Sequence, residues 1–110
     1  MNKFHAKKTI FNGIKFDSIK EANYYRILLL QEKATLLKNR VVRIELQVVF
    51  KFVLNGYKIT TYRLDFIVVY GDGHIECVDV KGCKKGSAYE IFRLKKQMMK
   101  AFYNIEIIEK

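Results

Sequence analysis

Proline and tryptophan are absent from this 110-residue chain, which also holds only two cysteines, two histidines and eleven acidic residues. Each scarcity excludes something. Without proline, no proline-rich linker divides the chain. Cys77 and Cys83 have no His or Cys companions at zinc-ligand spacing, so a zinc site is not expected, and two unpartnered thiols fit a reduced, cytosolic setting. His5 and His74 give no signal of a catalytic base. No apolar run approaches the length that spans a bilayer, and Met1-Asn2-Lys3-Phe4-His5-Ala6-Lys7-Lys8 lacks the apolar core of a signal peptide. A soluble protein of the cytoplasm, with no membrane partner, is therefore expected. Half of the residues are hydrophobic and 14% aromatic, which excludes disorder. The shortage of acids is the most informative: eleven Asp and Glu against twenty-one Lys and Arg leave a formal charge of +10, far more than solubility needs. Such an excess attracts polyanions, and nucleic acid is the expected partner.

The length predicts one small domain over residues 16–110, preceded by a short basic arm over residues 1–15 that ends in the turn-like Asn12-Gly13 and has room for one small strand. Such a domain has no room for a separate base-reading module. From Ser18 to about Lys33, Ala22, Tyr25, Leu28 and Leu29 recur at helical spacing behind a Ser cap. Ile44, Leu46, Val48, Phe50, Phe52 and Leu54 alternate with polar residues, predicting a long half-buried strand that Asn55-Gly56 turns back. Two further strands, Tyr62–Tyr70 and Ile75–Gly82, complete a three-stranded meander. A second helix, Ala88 to Tyr103, sets Ile91, Leu94, Met98 and Phe102 against Arg93, Lys96 and Lys100, and Ile105–Ile108 closes the chain as a short strand. The fold class is α+β: an α/β sandwich with two helices on a mixed central sheet.

Within this meander, carboxylates stand in apolar strands, where they are costly unless compensated. If Gly71-Asp72-Gly73 is a three-residue hairpin loop, Tyr70 faces His74, Val69 faces Ile75, Ile67 faces Cys77 and Asp65 faces Asp79. Directly opposed Cβ atoms are roughly 4.5 to 5.5 Å apart, so the two carboxylates repel unless protonated or bridged by a cation. A hard divalent ion is the natural bridge. Lys81 lies on the same face as Asp79 and reaches a phosphate or water held there. Ile67, Val69, Ile75 and Cys77 share that face, which something must cover. A slip of one residue would separate the pair, so the reading depends on register. It describes a phosphodiester-cleaving centre.

Plainer readings stand beside it. Ser18-Ile19-Lys20-Glu21 is also a capping box, in which the Glu21 carboxylate reaches back to the Ser18 amide. Asp65 has Arg63 and Lys81 as possible structural partners, and Asp79 with Lys81 also reads as a solvent-facing pair at a strand end. Gln47 falls on the polar side of its strand, either as surface or as an outer support of the site. Lys84, Lys85, Arg93, Lys95, Lys96 and Lys100 read as a solvated basic face or, following the Asp79–Lys81 strand, as phosphate contacts beside the site. Tyr24, Tyr25 and Tyr89 suit either base stacking or the core.

Taken together, the order helix, three strands, helix, strand and the residues Asp65 and Asp79-Val80-Lys81 resemble the PD-(D/E)XK nuclease superfamily over nearly the whole chain. The likeness is to small phage-encoded members similar to Holliday-junction resolvases, with Gly13-Ile14-Lys15-Phe16-Asp17-Ser18-Ile19-Lys20-Glu21-Ala22 opening the first helix. It implies a restriction-endonuclease-like core in which Asp65 matches the first acidic residue, Asp79-Val80-Lys81 the (D/E)XK triplet and Glu21 the helix carboxylate that completes a metal site. Leu64 stands where that pattern has proline, and Asp79 replaces the commoner Glu. Gln97 is followed four residues later by Ala101 rather than Tyr, unlike the processive exonuclease branches.

The resemblance implies a Mg²⁺-dependent DNA endonuclease in which Mn²⁺ substitutes and no small-molecule cofactor takes part. Asp65, Asp79, Glu21 and the Val80 carbonyl would bind metal, and Lys81 would act on the reacting phosphate. Lys84, Lys85, Arg93, Lys96 and Lys100 would hold DNA. It further implies selectivity for branched or junction DNA, a homodimer, and a place in phage recombination, replication or packaging. The alternatives are a DNA-binding accessory protein of the same fold without turnover, and a basic RNA-binding structural protein, which leaves the carboxylates unexplained.

Overall fold

A computed structural model describes residues 8–110. Among these, β1 (Thr9–Phe11) and β2 (Ile14–Phe16) lead into α1 (Ile19–Gln31). The strands β3 (Val41–Leu54), β4 (Tyr57–Tyr70) and β5 (Ile75–Asp79) follow, then α2 (Ser87–Tyr103) and β6 (Ile107–Glu109). The larger sheet runs β3-β4-β5-β6, antiparallel except for the parallel pair β5 and β6. This is the expected α+β class with a mixed sheet and two helices. No helix among the described residues is long and apolar enough to cross a membrane.

The turns follow from their residues. Asn12-Gly13 and Asn55-Gly56 both take positive φ at two successive positions, the combination that closes a two-residue hairpin with the twist of its strands. The first turn makes a hairpin of β1 and β2, and Phe11 and Ile14 pack against α1. Residues 9–15, expected within a basic arm, are thus part of the packed fold, while the beginning of that arm lies outside the described residues. Ser18 caps α1 as expected, its hydroxyl accepting the Glu21 amide at 3.0 Å.

Two cores lie on opposite faces of the larger sheet. Neighbouring residues on a strand point to opposite faces, and Val78 belongs to the α1 core while Cys77 belongs to the α2 core. The strands do not keep one face throughout. On β4, Phe66 and Val68 pack with α1, but Tyr62 and Leu64, also even-numbered, pack with α2. On β3, Ile44 and Leu46 lie with α1 and Phe50 and Phe52 with α2. Both strands reverse at one level. The ladder pairs Leu46 with Phe66 and Val48 with Leu64, leaving Gln47 and Asp65 unpaired between them, and Gln47 takes φ 52°. A left-handed residue inside a strand inverts the alternation of its side chains. The single half-buried face expected over Ile44–Leu54 is therefore corrected: its apolar residues serve one core before Gln47 and the other after it.

The face of α2 is corrected in part: Met98 and Phe102 pack toward the sheet as expected. Phe92 and Met99 are buried against the sheet, whereas Ile91 and Leu94, expected to face it, are 56% and 57% exposed. The helix is apolar on two sides, and sequence spacing does not choose between them. Its C-terminus is closed by Asn104 in the left-handed conformation. The assignment is testable by urea unfolding. Leu64→Ala, which empties a fully buried site, is expected to cost about 3 kcal/mol or more, and Leu94→Ala within about 0.5 kcal/mol of nothing. A large loss from Leu94→Ala would mean that α2 presents its other side to the sheet.

Candidate functional site

Register decides the site, and β4 and β5 pair Val69 with Ile75, Ile67 with Cys77 and Phe66 with Val78. Tyr70 and His74 close the loop as expected, the Tyr70 amide donating to the His74 carbonyl at 3.0 Å. Continued by one residue, the register sets Asp65 across from Asp79. The ladder itself stops at Phe66, where β4 reverses its faces. Val80 then donates its amide to the Asp65 carboxylate at 2.9 Å instead of to a strand partner. The side chain of Asp65 thereby ends the β4–β5 ladder beside Asp79.

Asp79 is buried and satisfied on two sides. The Tyr62 hydroxyl donates to its Oδ2 at 2.5 Å, and Lys81 Nζ lies 3.3 Å from the same oxygen. Lys81 also sits 3.7 Å above the Phe92 ring, so one α2 side chain fixes the cation's position. Lys20, on the first turn of α1, donates to the Lys81 carbonyl at 2.5 Å and ties that helix to the end of β5. Glu21 is buried on the same turn. Arg63 pairs with Asp17 at 2.5 Å at the rim. Asp17, Glu21, Tyr62, Arg63, Asp65, Asp79, Val80 and Lys81 line one open cleft of about 450 Å³, together with Ser18, Gly82, Ala88, Ile91, Phe92 and Lys95.

Crowding of acids governs the electrostatics. Burial, and then the neighbouring Asp17 and Asp79 charges, push Glu21 up to about 7. Burial likewise raises Asp65, reinforced by the Asp79 carboxyl within hydrogen-bonding reach and by the Glu21 charge. Tyr62 is held protonated by burial and by Asp79. The cleft thus shifts these carboxyl groups toward their protonated form although the chain as a whole is strongly basic.

The structure brings Asp65, Asp79, Val80, Lys81 and Glu21 to this cleft and separates other residues from it. Arg63 and Lys81 do not pair with Asp65; they pair with Asp17 and Asp79. Ile67 and Cys77 are covered by the α2 core, but Ile75, expected under the same cover, is 60% exposed. Gln47 does not line the cleft, and its amide reaches the Lys15 carbonyl at 3.4 Å. Of the basic residues expected beside the site, Arg93, Lys96 and Lys100 line a separate groove with Gln97, Glu106, Ile107 and Glu109. There Lys96 pairs with Glu109 at 2.7 Å and Lys100 with Glu106 at 3.1 Å, while Lys84 is 3.9 Å from Glu109. Lys85 is exposed on the connecting loop. These cations are partly answered within the protein, and Lys95 is the α2 cation on the carboxylate side.

Tyr62 and Asp17 carry no distinctive sequence signal; the face reversal on β4 alone brings Tyr62 to Asp79. Among the described residues, no three His, Cys, Asp or Glu side chains converge as a ligand group.

Folding takes up a proton at Glu21 between its ordinary value of 4.5 and about 7, so stability falls as pH rises through that window. Glu21→Gln is expected to match the wild type near pH 5 and to exceed it in melting temperature near pH 8. An unchanged difference between the two would show that Glu21 titrates normally.

No curated protein and no solved structure matches the chain. A family model does, over residues 1–108. The chain belongs to the family described as protein of unknown function (DUF1064).

Proposed function

We propose that this protein is a metal-dependent DNA endonuclease whose reacting centre is the cleft at the Asp65–Asp79 level. The observation that carries the reading is a single cleft lined by the adjacent carboxylates Asp65 and Asp79, by Glu21 on α1 and by a lysine fixed beside Asp79. A purely structural ion pair needs neither the second acid nor the third. The order of helix, three strands, helix and strand, with Asp65 and Asp79-Val80-Lys81 at its centre, also supports a restriction-endonuclease-like core by resemblance to the PD-(D/E)XK superfamily.

The residues suit a hard divalent cation. Magnesium commonly takes one or two carboxylates and keeps several waters, and the Asp65–Asp79 pair meets that requirement without a full protein cage. Asp65 and Asp79 would hold the ion, with Glu21 and the Val80 carbonyl alongside; Mn²⁺ would take the same oxygen donors. When bound, the ion supplies Lewis-acid stabilisation of charge on a phosphate.

The chain's own groups do the rest. Lys81, held between Asp79 and Phe92, is positioned to stabilise negative charge on the reacting phosphate without first having to be ordered. Tyr62 fixes the orientation of the Asp79 carboxylate. Arg63 and Lys95 border the carboxylates with positive charge, which draws a phosphate backbone toward acids that would otherwise repel it. A homodimer would set two such clefts on two strands.

A binding-only reading has one observation in its favour: Tyr62 and Lys81 already satisfy Asp79 within the protein. Turnover separates the two. Labelled four-way junction, flap, single-stranded and linear duplex DNA are incubated with Mg²⁺, with Mn²⁺ and with EDTA. The wild type is expected to cut only with metal, and Asp79→Ala and Lys81→Ala to lose more than about 100-fold in rate. Tight binding by all three proteins with no cutting under any metal would establish the accessory binding role instead.

A further inference from the structure

Beyond Tyr62 and Arg63, which line the cleft, the outer part of the β3–β4 hairpin takes no part in the cleft chemistry. β5 pairs with β4 only over Phe66–Val69, so beyond Asp65 the hairpin is a two-stranded arm. One face is covered, with Phe50 and Phe52 against Phe102 and Tyr103, and Tyr62 against Phe92. The opposite face carries Val49, Lys51 and Val53 with their cross-strand partners Arg63, Thr61 and Lys58. Val49 is 57% exposed there, and at the tip the next cross-strand pair, Leu54 and Tyr57, turned to the other side, is 55% and 74% exposed.

Charge decides what fits this face. From Leu46 through Leu64 the sequence has no acidic residue. Lys51 and Lys58 are exposed and have no ion-pair partner among the described residues. A second copy docked across a two-fold axis would bring these cations against their own counterparts with no acid on the arm to answer them. A polyanion is complementary. The face is also continuous with the carboxylate cleft, because Arg63 belongs to both. From Arg63 to Lys58 the arm covers about 17 Å at ~3.3 Å per residue, roughly the rise of five base pairs.

We propose that this arm holds branched DNA. Lys51 and Lys58 follow one phosphate strand away from the rim where Arg63 is paired with Asp17, and Leu54 and Tyr57 at the tip bear on unpaired bases where the duplex forks. Exposed apolar and aromatic groups at the end of a basic arm suit unstacked bases, since every base offers a face for stacking. The proposal rests on the nuclease reading for where the cut strand lies, but its binding consequences do not.

The experiment measures anisotropy of labelled four-way junction and linear duplex in EDTA over a range of salt. It uses the wild type, Lys51→Ser/Lys58→Ser and Leu54→Ser/Tyr57→Ser, each checked for folding by circular dichroism. Loss of two phosphate contacts is expected to weaken binding to both DNAs about tenfold or more at low salt and to reduce the salt slope by about two. The tip variant is expected to keep duplex affinity and lose about tenfold in preference for the junction.

Variants that bind as the wild type does, or no DNA binding by the wild type, would overturn the proposal. So would a tip variant that changes only the oligomeric state, which would assign the arm to a second copy. Cleavage with Mg²⁺ is scored separately. Junction binding through the arm without cutting removes the nuclease reading and leaves the arm. Cutting that survives in both variants, with unchanged affinity, removes the arm and leaves the nuclease.

Discussion

The hydrogen bond from the Val80 amide to the Asp65 carboxylate is the contact on which the site depends. It exists because the β4–β5 ladder stops one residue short of Asp65, and the ladder stops where β3 and β4 exchange faces at Gln47 and Asp65. On the Leu46 and Phe66 side of that level the strands give their even-numbered side chains to α1; on the Phe50 and Tyr62 side they give them to α2. One local irregularity therefore frees an amide, turns a carboxylate beside Asp79 and delivers Tyr62 to the same carboxylate. A regular strand would bring Tyr62 to the other face.

A second constraint is charge. A chain with ten more basic than acidic residues nonetheless gathers Asp17, Glu21, Asp65 and Asp79 at one cleft. Burial and mutual repulsion raise Glu21 and Asp65, and Lys81 is committed to Asp79. Such an arrangement costs stability at neutral pH that the surrounding cores must offset. A divalent cation would relieve the repulsion, which is the physical link between the fold and the proposed chemistry. The basic residues outside the cleft act at longer range: some are answered by Glu106 and Glu109, and others, along the hairpin, are not.

Much of this was legible in the residues. The Gly71-Asp72-Gly73 loop and the period-two apolar pattern gave the β4–β5 register, and with it the meeting of Asp65 and Asp79, because a three-residue loop leaves little freedom in pairing. Ser18 marked the start of α1 correctly. The reversal of faces was not legible: it rests on a positive φ at Gln47, a residue type with no special tolerance for that conformation, where Gly or Asn would have signalled it. Tyr62 was missed for the same reason. The face of α2 was misassigned at Ile91 and Leu94, though not at Met98 and Phe102, because Ile91 and Leu94 form as regular a stripe as Phe92 and Met99 and only the shape of the sheet chooses between them. That choice also separates Lys95, at the cleft, from Arg93, Lys96 and Lys100 in the other groove.

The central claim is that Asp65 and Glu21 are held partly protonated by crowding that a cation relieves. Carbon-detected NMR titration of the Asp and Glu carboxyl groups, with and without Mg²⁺, tests it directly. The account predicts that without metal Asp65 titrates far above the ordinary carboxylate range and Glu21 near 7, and that both fall toward ordinary values when Mg²⁺ is added. Ordinary titration of both groups, indifferent to the metal, would contradict it.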